Sequence, residues 1–141
     1  MTPEEMDAIF DVFVRAHRAQ DIDGLIALFT EDADYEVVGD TYGRRRGHAS
    51  IRRRYEEAFD EFGEASLNVV RRSHGENLLV TESIMTATAT GTIFGVHGGG
   101  RTVRYRLLHL CEFSGGRISR HTVWVDATEL MAQLLAPQDP R

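Results

Sequence analysis

The chain has 141 residues, of which 42% are hydrophobic and 27% charged, as in an ordinary globular protein with one core. Its net charge of −6 argues against nucleic acid as the main partner, because phosphate binding needs a basic surface. The sequence shows no membrane span and no targeting segment, so no membrane partner is expected. The single cysteine, Cys111, excludes an internal disulfide and predicts a cytoplasmic location.

Two helices are predicted at the start of the chain. Residues 2–5, Thr-Pro-Glu-Glu, have the pattern of a capping box, and apolar residues then recur at helical spacing as far as His17. Asp21 is the expected N-cap of a second, shorter helix. These two segments predict helices that each bury one apolar side.

A short strand, a loop and a third helix follow. The strand is expected from Ala33 to Val38, and the third helix from about Ala49 to Phe62. Two arginine triplets, Arg44 to Arg46 in the loop and Arg52 to Arg54 on the helix, are interpreted as solvated surface. Neither triplet is therefore assigned to a site.

The second half of the chain predicts strands and one closing helix. The expected strands are rich in β-branched and aromatic residues and cover Ser66 to Ser73, Leu78 to Thr92, Arg101 to Phe113 and Arg117 to Asp126. Gly98 to Gly100 is expected at a hairpin tip, and a helix from Ala127 to about Leu135. This order predicts one α+β domain, residues 1–135, with three N-terminal helices packed on a curved, mostly antiparallel sheet around an apolar pocket. The tail, 136–141, is expected to be flexible.

His109 is the main candidate for a functional residue. Alternation puts it on one face of its strand with Tyr105, Leu107 and Cys111. An imidazole between apolar neighbours suits a small catalytic pocket, since it can act as acid, base or hydrogen-bond donor near neutral pH. An ordinary core histidine has the same pattern, and both interpretations stay open.

Three residues near the end of the last strand are weaker candidates. Asp126 is a possible acid–base group, but it also precedes a helix and can be its N-cap. His121 and Trp124 fall on opposite faces of a regular strand, so the sequence leaves open which of them enters the pocket.

Neither a metal nor a cofactor is expected. The six histidines are scattered, and the sequence contains no metal-ligand spacing and no dinucleotide or phosphate-binding glycine motif.

Four sets of residues carry a resemblance to a known family. They are Asp21-Ile22-Asp23-Gly24-Leu25 with Leu28-Phe29-Thr30-Glu31-Asp32-Ala33, then Gly47-His48-Ala49-Ser50-Ile51, then Phe113 with Gly116-Arg117-Ile118, and Asp126 with Leu130, Gln133 and Leu134. The pattern resembles the nuclear transport factor 2-like superfamily, which has a cystatin-like cone, and within it the SnoaL-like polyketide cyclases. The resemblance covers most of the chain and implies the cone-shaped fold. It does not fix an activity, because the superfamily includes isomerases, cyclases, dehydratases, epoxide hydrolases and non-catalytic binding domains.

The catalytic residues of the superfamily carry over only in part. The resemblance places the base of the steroid isomerases at Val37 and their tyrosine donor at Phe13, and both side chains are apolar here. It places an oxyanion donor at His109, which can still donate. The cyclase aspartate would fall near Val123, and an aspartate of limonene-epoxide-hydrolase-like enzymes falls at Asp126.

The resemblance implies a cofactor-independent lyase or isomerase that performs a cyclisation, isomerisation or dehydration on a small apolar oxygenated molecule such as a polyketide. The expected catalytic residues are His109, Asp126 and His121, and the expected substrate-binding residues are Phe13, His17, Tyr35, Tyr105 and Trp124. Two alternatives are an epoxide-hydrolase-like enzyme and a non-catalytic ligand-binding or dimerisation module.

A homodimer is also predicted. Apolar residues such as Leu108 and Leu110 fall on the face of the strand opposite to His109, and this face must pack against another surface to be shielded from water. The outer face of the sheet is therefore the expected interface.

Overall fold

The first helix begins at the predicted capping box. Thr2 Oγ1 accepts a hydrogen bond from the backbone N–H of Glu5 at 3.2 Å, and the Glu5 carboxylate accepts one from Thr2 N–H at 3.4 Å. The helix then buries one stripe, which includes Phe10 and Phe13. In the computed structural model, which describes residues 1–138, the helices are α1 (Pro3–Arg18), α2 (Ile22–Ile26), α3 (His48–Glu61) and α4 (Ala127–Leu135).

Six strands form the main sheet, and two short strands form a separate hairpin. The strands are β1 (Phe29–Val38), β2 (Arg45–Arg46), β3 (Phe62–Gly75), β4 (Leu78–Ala89), β5 (Thr92–Ile93), β6 (Val96–His97), β7 (Arg101–Ser114) and β8 (Arg117–Val125). The order in the main sheet is β2-β1-β8-β7-β4-β3, and all neighbours are antiparallel except β1 and β8. The predicted α+β class with a curved, mostly antiparallel sheet is confirmed.

The long central strand β7 alternates as the sequence predicts. Its residues Val103, Tyr105, Leu107, His109, Cys111 and Phe113 are all buried on the inner face. Arg104, Arg106 and Leu108, which alternate with them, are exposed on the outer face. Helices α1 and α3 cover the inner face, so the core lies between these helices and the sheet.

The last helix closes one end of this core. Asp126 caps α4 by accepting a hydrogen bond from Glu129 N–H at 3.1 Å. The Gln133 side chain bonds both the N–H (2.8 Å) and the C=O (2.7 Å) of Arg104. These bonds hold α4 along β7 beyond the end of β8, and Leu130 and Leu134 are buried there.

The connection between β4 and β7 differs from the prediction. The hairpin tip is Phe94-Gly95, between the paired residues Ile93 and Val96, and not Gly98 to Gly100. Phe94 and Gly95 have φ of 49° and 79°, which suits a tight two-residue hairpin turn. Gly98 is needed for another reason, since a Cβ there would lie 2.2 Å from the carbonyl oxygen of Ala89.

Two further features concern the predicted tail and membrane contacts. The flexible tail was expected over 136–141, and residues 139–141 lie outside the described part. Within the described part, Gln138 donates a hydrogen bond to Gly99 C=O at 3.0 Å.

Between residues 1 and 138, every helix is too short or too polar to cross a bilayer.

Candidate active site

A mostly apolar cavity lies between the inner face of the sheet and helices α1, α3 and α4. Its volume is about 100 Å³, which is room for several water molecules or a small ligand. Its polar wall residues are His17, Tyr35, Arg54, Glu61, Tyr105 and His109, and its apolar walls include Phe13, Val37, Phe59, Phe62, Leu107, Val123 and Leu130. Few polar groups in an apolar cavity are typical of a small-molecule site.

His109 lines this cavity and has one imidazole nitrogen without a hydrogen-bond partner in the described residues. The residue is only 3% exposed, and its Nδ1 lies 2.9 Å from Nε2 of His121 on the neighbouring strand β8. Its other nitrogen, Nε2, has no hydrogen-bond partner among residues 1–138. A buried polar atom without a partner is costly, so a ligand or water at this position would satisfy it.

The hydrogen bond between the two histidines gives His109 two possible roles. If His121 donates through Nε2–H, His109 carries its proton on Nε2 and can donate to a ligand oxygen. If His109 donates through Nδ1–H, its Nε2 is a free base. Transfer of a proton along the 2.9 Å bond alone would give an imidazolium beside an imidazolate, so exchange of these two neutral states also requires a proton to leave His109 Nε2 and one to reach His121 Nδ1. The pair can therefore stabilise an oxyanion or accept a proton without a buried charge in the resting state.

Burial keeps all three histidines of this region neutral at pH 7. It lowers the pKa of His17 to about 4 and that of His121 to about 3. Burial, followed by the neighbouring His121 and His17, holds the pKa of His109 well below its usual value. Aromatic rings surround the pair: Phe13 lies 5.7 Å from His109 and 5.1 Å from His121 between ring centroids.

Four of the five predicted substrate-binding residues lie in the cavity wall. They are Phe13, His17, Tyr35 and Tyr105. Burial raises the pKa of Tyr35 to about 12 and also raises that of Tyr105, so both phenols stay protonated and can donate. Their role in binding a substrate stays a prediction.

The structure does not bring Trp124 and Asp126 into the cavity. Trp124 alternates with the inward residues Val123 and Val125, so it lies on the outer face and is 41% exposed. Asp126 caps α4 and bonds the outer side chain of Arg106 at 3.2 Å. Placing these two residues in the pocket was wrong, whereas His121 is fully buried on the inner face behind His109.

A buried ion cluster at the cavity wall was missed by the sequence interpretation. Arg54 was interpreted as solvated surface, but it is only 6% exposed. Its Nε lies 3.1 Å from Asp40 Oδ2, and its Nη1 lies 3.1 Å from Glu61 Oε1. The sequence did contain a signal, because Arg54 and Glu61 fall at helical spacing on the same stripe of α3 as Ile51.

No arrangement for a metal is apparent in the described part of the chain. There, no group of three or more His, Cys, Asp or Glu side chains could hold an ion. The prediction that the protein needs no metal or cofactor stays a prediction.

The fold class is α+β, with a curved, mostly antiparallel sheet that wraps a cavity and with helices on its concave side. Within that class, the sequence model of the family described as SnoaL-like polyketide cyclase matches residues 8–134. The chain belongs to this family, and the resemblance stated from sequence is confirmed.

Solved structures share the fold at low sequence identity. TsrD from Streptomyces laurentii is 17% identical, with a TM-score of 0.83 over 97% of this chain and 99% of that one. A SnoaL-like protein from Jannaschia sp. CCS1 is 16% identical, with a TM-score of 0.85 over 98% of both chains. An LEH-like epoxide hydrolase from M. tuberculosis is 20% identical, with a TM-score of 0.74 over 94% of this chain and 90% of that one. At these identities the likeness shows the fold alone.

Proposed function

We propose that the protein is a cofactor-independent enzyme that transfers protons next to a carbonyl group in a small, apolar, oxygenated molecule such as a polyketide. The reaction would be a cyclisation, isomerisation or dehydration. The observation that carries this proposal is the unpaired Nε2 of buried His109, held at the cavity by His121. In the tautomer that donates, Nε2–H would stabilise the oxyanion that forms when the neighbouring carbon loses a proton.

The charges of the cavity wall favour a neutral substrate. Arg54 is already bonded to Asp40 and Glu61, and burial keeps His17 and His109 uncharged. A localised anion such as a carboxylate would find no unpaired cation among the described residues of this wall, whereas a carbonyl, hydroxyl or charge-delocalised phenolate oxygen would find imidazole and phenol donors.

The epoxide-hydrolase-like alternative is less well supported. The aspartate that would carry it, Asp126, lies outside the cavity and is bonded to Arg106 and to the α4 backbone. The non-catalytic alternative keeps the same cavity and predicts binding without turnover.

His109→Ala is expected to lower turnover of a proton-transfer probe by on the order of a hundredfold per folded molecule. The probe is 5-nitrobenzisoxazole: a base removes its carbon-bound proton, the C–H electron pair forms a nitrile, and the N–O bond breaks, so that the ring opens to a coloured phenolate, 2-cyano-4-nitrophenolate. Absorbance gives the rate, and thermal denaturation gives the folded fraction. His97→Ala, at an exposed histidine outside the cavity wall, serves as the control.

A loss of stability of roughly 1–3 kcal/mol in His109→Ala, with the rate per folded molecule unchanged, would instead identify His109 as a core histidine. Binding of the phenolate product by a wild-type protein that does not turn the probe over would favour the non-catalytic module.

We also propose a homodimer that forms through the outer face of the sheet. Leu108 and Trp124 are direct cross-strand partners there and are 39% and 41% exposed, and Val38 pairs with Trp124 from the other side. Exposed apolar neighbours of this size are typical of an interface.

A cytoplasmic location is proposed as well, because the single cysteine, Cys111, is free.

Trp124→Glu is expected to convert the dimer to a monomer, because a carboxylate would be buried without a partner in the interface. Light scattering at micromolar concentration measures the mass. A wild-type protein that is monomeric at that concentration would contradict the dimer, and Glu76→Gln in the exposed β3–β4 turn is the control.

A further inference from the structure

The ion cluster of Asp40, Arg54 and Glu61 joins a surface loop to the cavity wall. Arg54 lies on α3 one turn after Ile51, Glu61 is the last residue of the same helix, and Asp40 belongs to the turn after β1. The guanidinium is covered by the Tyr42 ring, whose centroid lies 4.4 Å from Cζ. Three charged side chains are thus held out of water in one arrangement.

The two carboxylates of this cluster have different surroundings. Asp40 uses both oxygens, since Oδ2 accepts from Arg54 Nε and Oδ1 accepts from the N–H groups of Tyr42 (2.9 Å) and Gly43 (3.2 Å). Glu61 accepts from Arg54 through Oε1, and its Oε2 has no partner among residues 1–138. Only Glu61 and Arg54 of the three line the cavity. Asp40 therefore holds Arg54 in place, while Arg54 engages one oxygen, Oε1, of the cavity-lining Glu61.

The charge balance of the cluster makes Glu61 able to exchange a proton. One guanidinium faces two carboxylates, so the cluster carries one negative charge in excess when both are ionised. Glu61 has a side chain that is 12% exposed, and burial raises its pKa although Arg54 opposes the rise. The wall phenols Tyr35 and Tyr105 keep their protons and cannot take its place as the base.

We propose that Glu61 is the second proton-transfer group of the cavity and that it works with His109 on one neutral carbonyl substrate. This inference rests on the proposed function. Glu61 Oε2 accepts the proton from the carbon next to the carbonyl group, the C–H electron pair forms the C=C bond of an enolate, and the carbonyl π pair moves to oxygen. His109 Nε2–H stabilises that oxygen, and the Glu61 carboxyl group then returns the proton to carbon or to a departing oxygen. Arg54 is a positioning residue, since it fixes Oε1 and leaves Oε2 free.

The test is Glu61→Gln, which keeps an oxygen for Arg54 but cannot act as a base. The matched control is Glu57→Gln, one turn earlier on α3, where the carboxylate is bonded to Arg45 at 3.1 Å and does not line the cavity. Turnover of 5-nitrobenzisoxazole is measured for wild type, both glutamine variants and His109→Ala. Binding of the product, 2-cyano-4-nitrophenolate, is measured alongside by absorbance titration.

We expect Glu61→Gln to lose on the order of a hundredfold in turnover while it still binds the product, and Glu57→Gln to keep the wild-type rate. If Glu61→Gln keeps the wild-type turnover rate while His109→Ala loses it, the role of Glu61 is overturned and the proposed function still stands. Loss of both turnover and product binding in Glu61→Gln would also overturn it, because the residue would then only shape the cavity. A wild-type protein that does not accelerate the probe at all would contradict the proposed function itself.

Discussion

Lowering the pH from 7 to about 4.5 is expected to unfold the protein, because three buried histidines must stay neutral in the folded state. Burial lowers the pKa of His17 to about 4, that of His121 to about 3 and that of His109 well below its usual value, whereas an unfolded histidine titrates near 6.5. Below pH 6.5 the unfolded chain therefore binds more protons than the folded one. The stabilisation from neutral histidines is complete above pH 6.5 and is lost as the pH falls toward the folded pKa values.

The expected loss in the free energy of unfolding at low pH is large. Each histidine that stays neutral in the fold but is protonated in the unfolded chain removes about 1.4 kcal/mol from the free energy of unfolding per pH unit. Three such groups give a slope of about 4 kcal/mol per pH unit. Two pH units then cost about 8 kcal/mol, which is comparable with the whole stability of an ordinary domain, 5–15 kcal/mol.

A variant isolates this contribution from the other titrating groups. His17→Phe fits a site where the ring already packs between Phe13 (5.8 Å) and Phe59 (5.4 Å), and it removes one titrating group. Urea unfolding below pH 6.5, where the unfolded histidine gains its proton, should show a slope that is shallower than that of wild type by up to about 1.4 kcal/mol per pH unit. His97→Phe, at an exposed position, should leave the slope unchanged. Equal slopes for wild type and His17→Phe would contradict the neutral, buried state of His17.

Arg54→Leu is expected to lower the free energy of unfolding by about 3–5 kcal/mol, because it leaves two mostly buried carboxylates, Asp40 and Glu61, without their cation. The matched control is Arg52→Leu on the same helix. The Arg52 side chain is 41% exposed and pairs with exposed Asp23 at 2.7 Å, so its loss should change stability by no more than about 0.5 kcal/mol. Denaturant unfolding at pH 7 measures both variants. Equal effects of the two substitutions would show that the cluster around Arg54 contributes no more than a surface ion pair.

The fold was predictable because its signals are local. The capping box at Thr2 to Glu5, the alternation along β7 and the Gly-Gly turn before β8 each specify one element from neighbouring residues. The same alternation correctly put Tyr105, Leu107 and His109 on the inner face. The alternation also put His121 and Trp124 on opposite faces of β8. Which of these two residues lies on the inner face of the sheet depends on how β8 pairs with β7 and β1, and the sequence did not show that pairing.

The site was predictable only in part, because it depends on contacts between distant residues. The partners of Arg54 lie 14 and 7 residues away, and helical spacing alone does not distinguish an arginine that faces a cavity from one that faces solvent. The bond between His109 and His121 likewise follows from the pairing of β7 with β8. Asp126 was ambiguous for the opposite reason, since its local role as an N-cap accounts for it fully.

The most direct test of the central claim, that His109 offers Nε2 to an oxygen in the cavity, is a crystal structure of the protein with 4-nitrophenol bound. We expect the phenol oxygen within about 2.6–3.2 Å of His109 Nε2, with the ring against the apolar wall formed by Phe13 and Leu107. A complex in which 4-nitrophenol occupies the cavity with its oxygen away from His109, or in which it binds only outside the cavity, would contradict the claim.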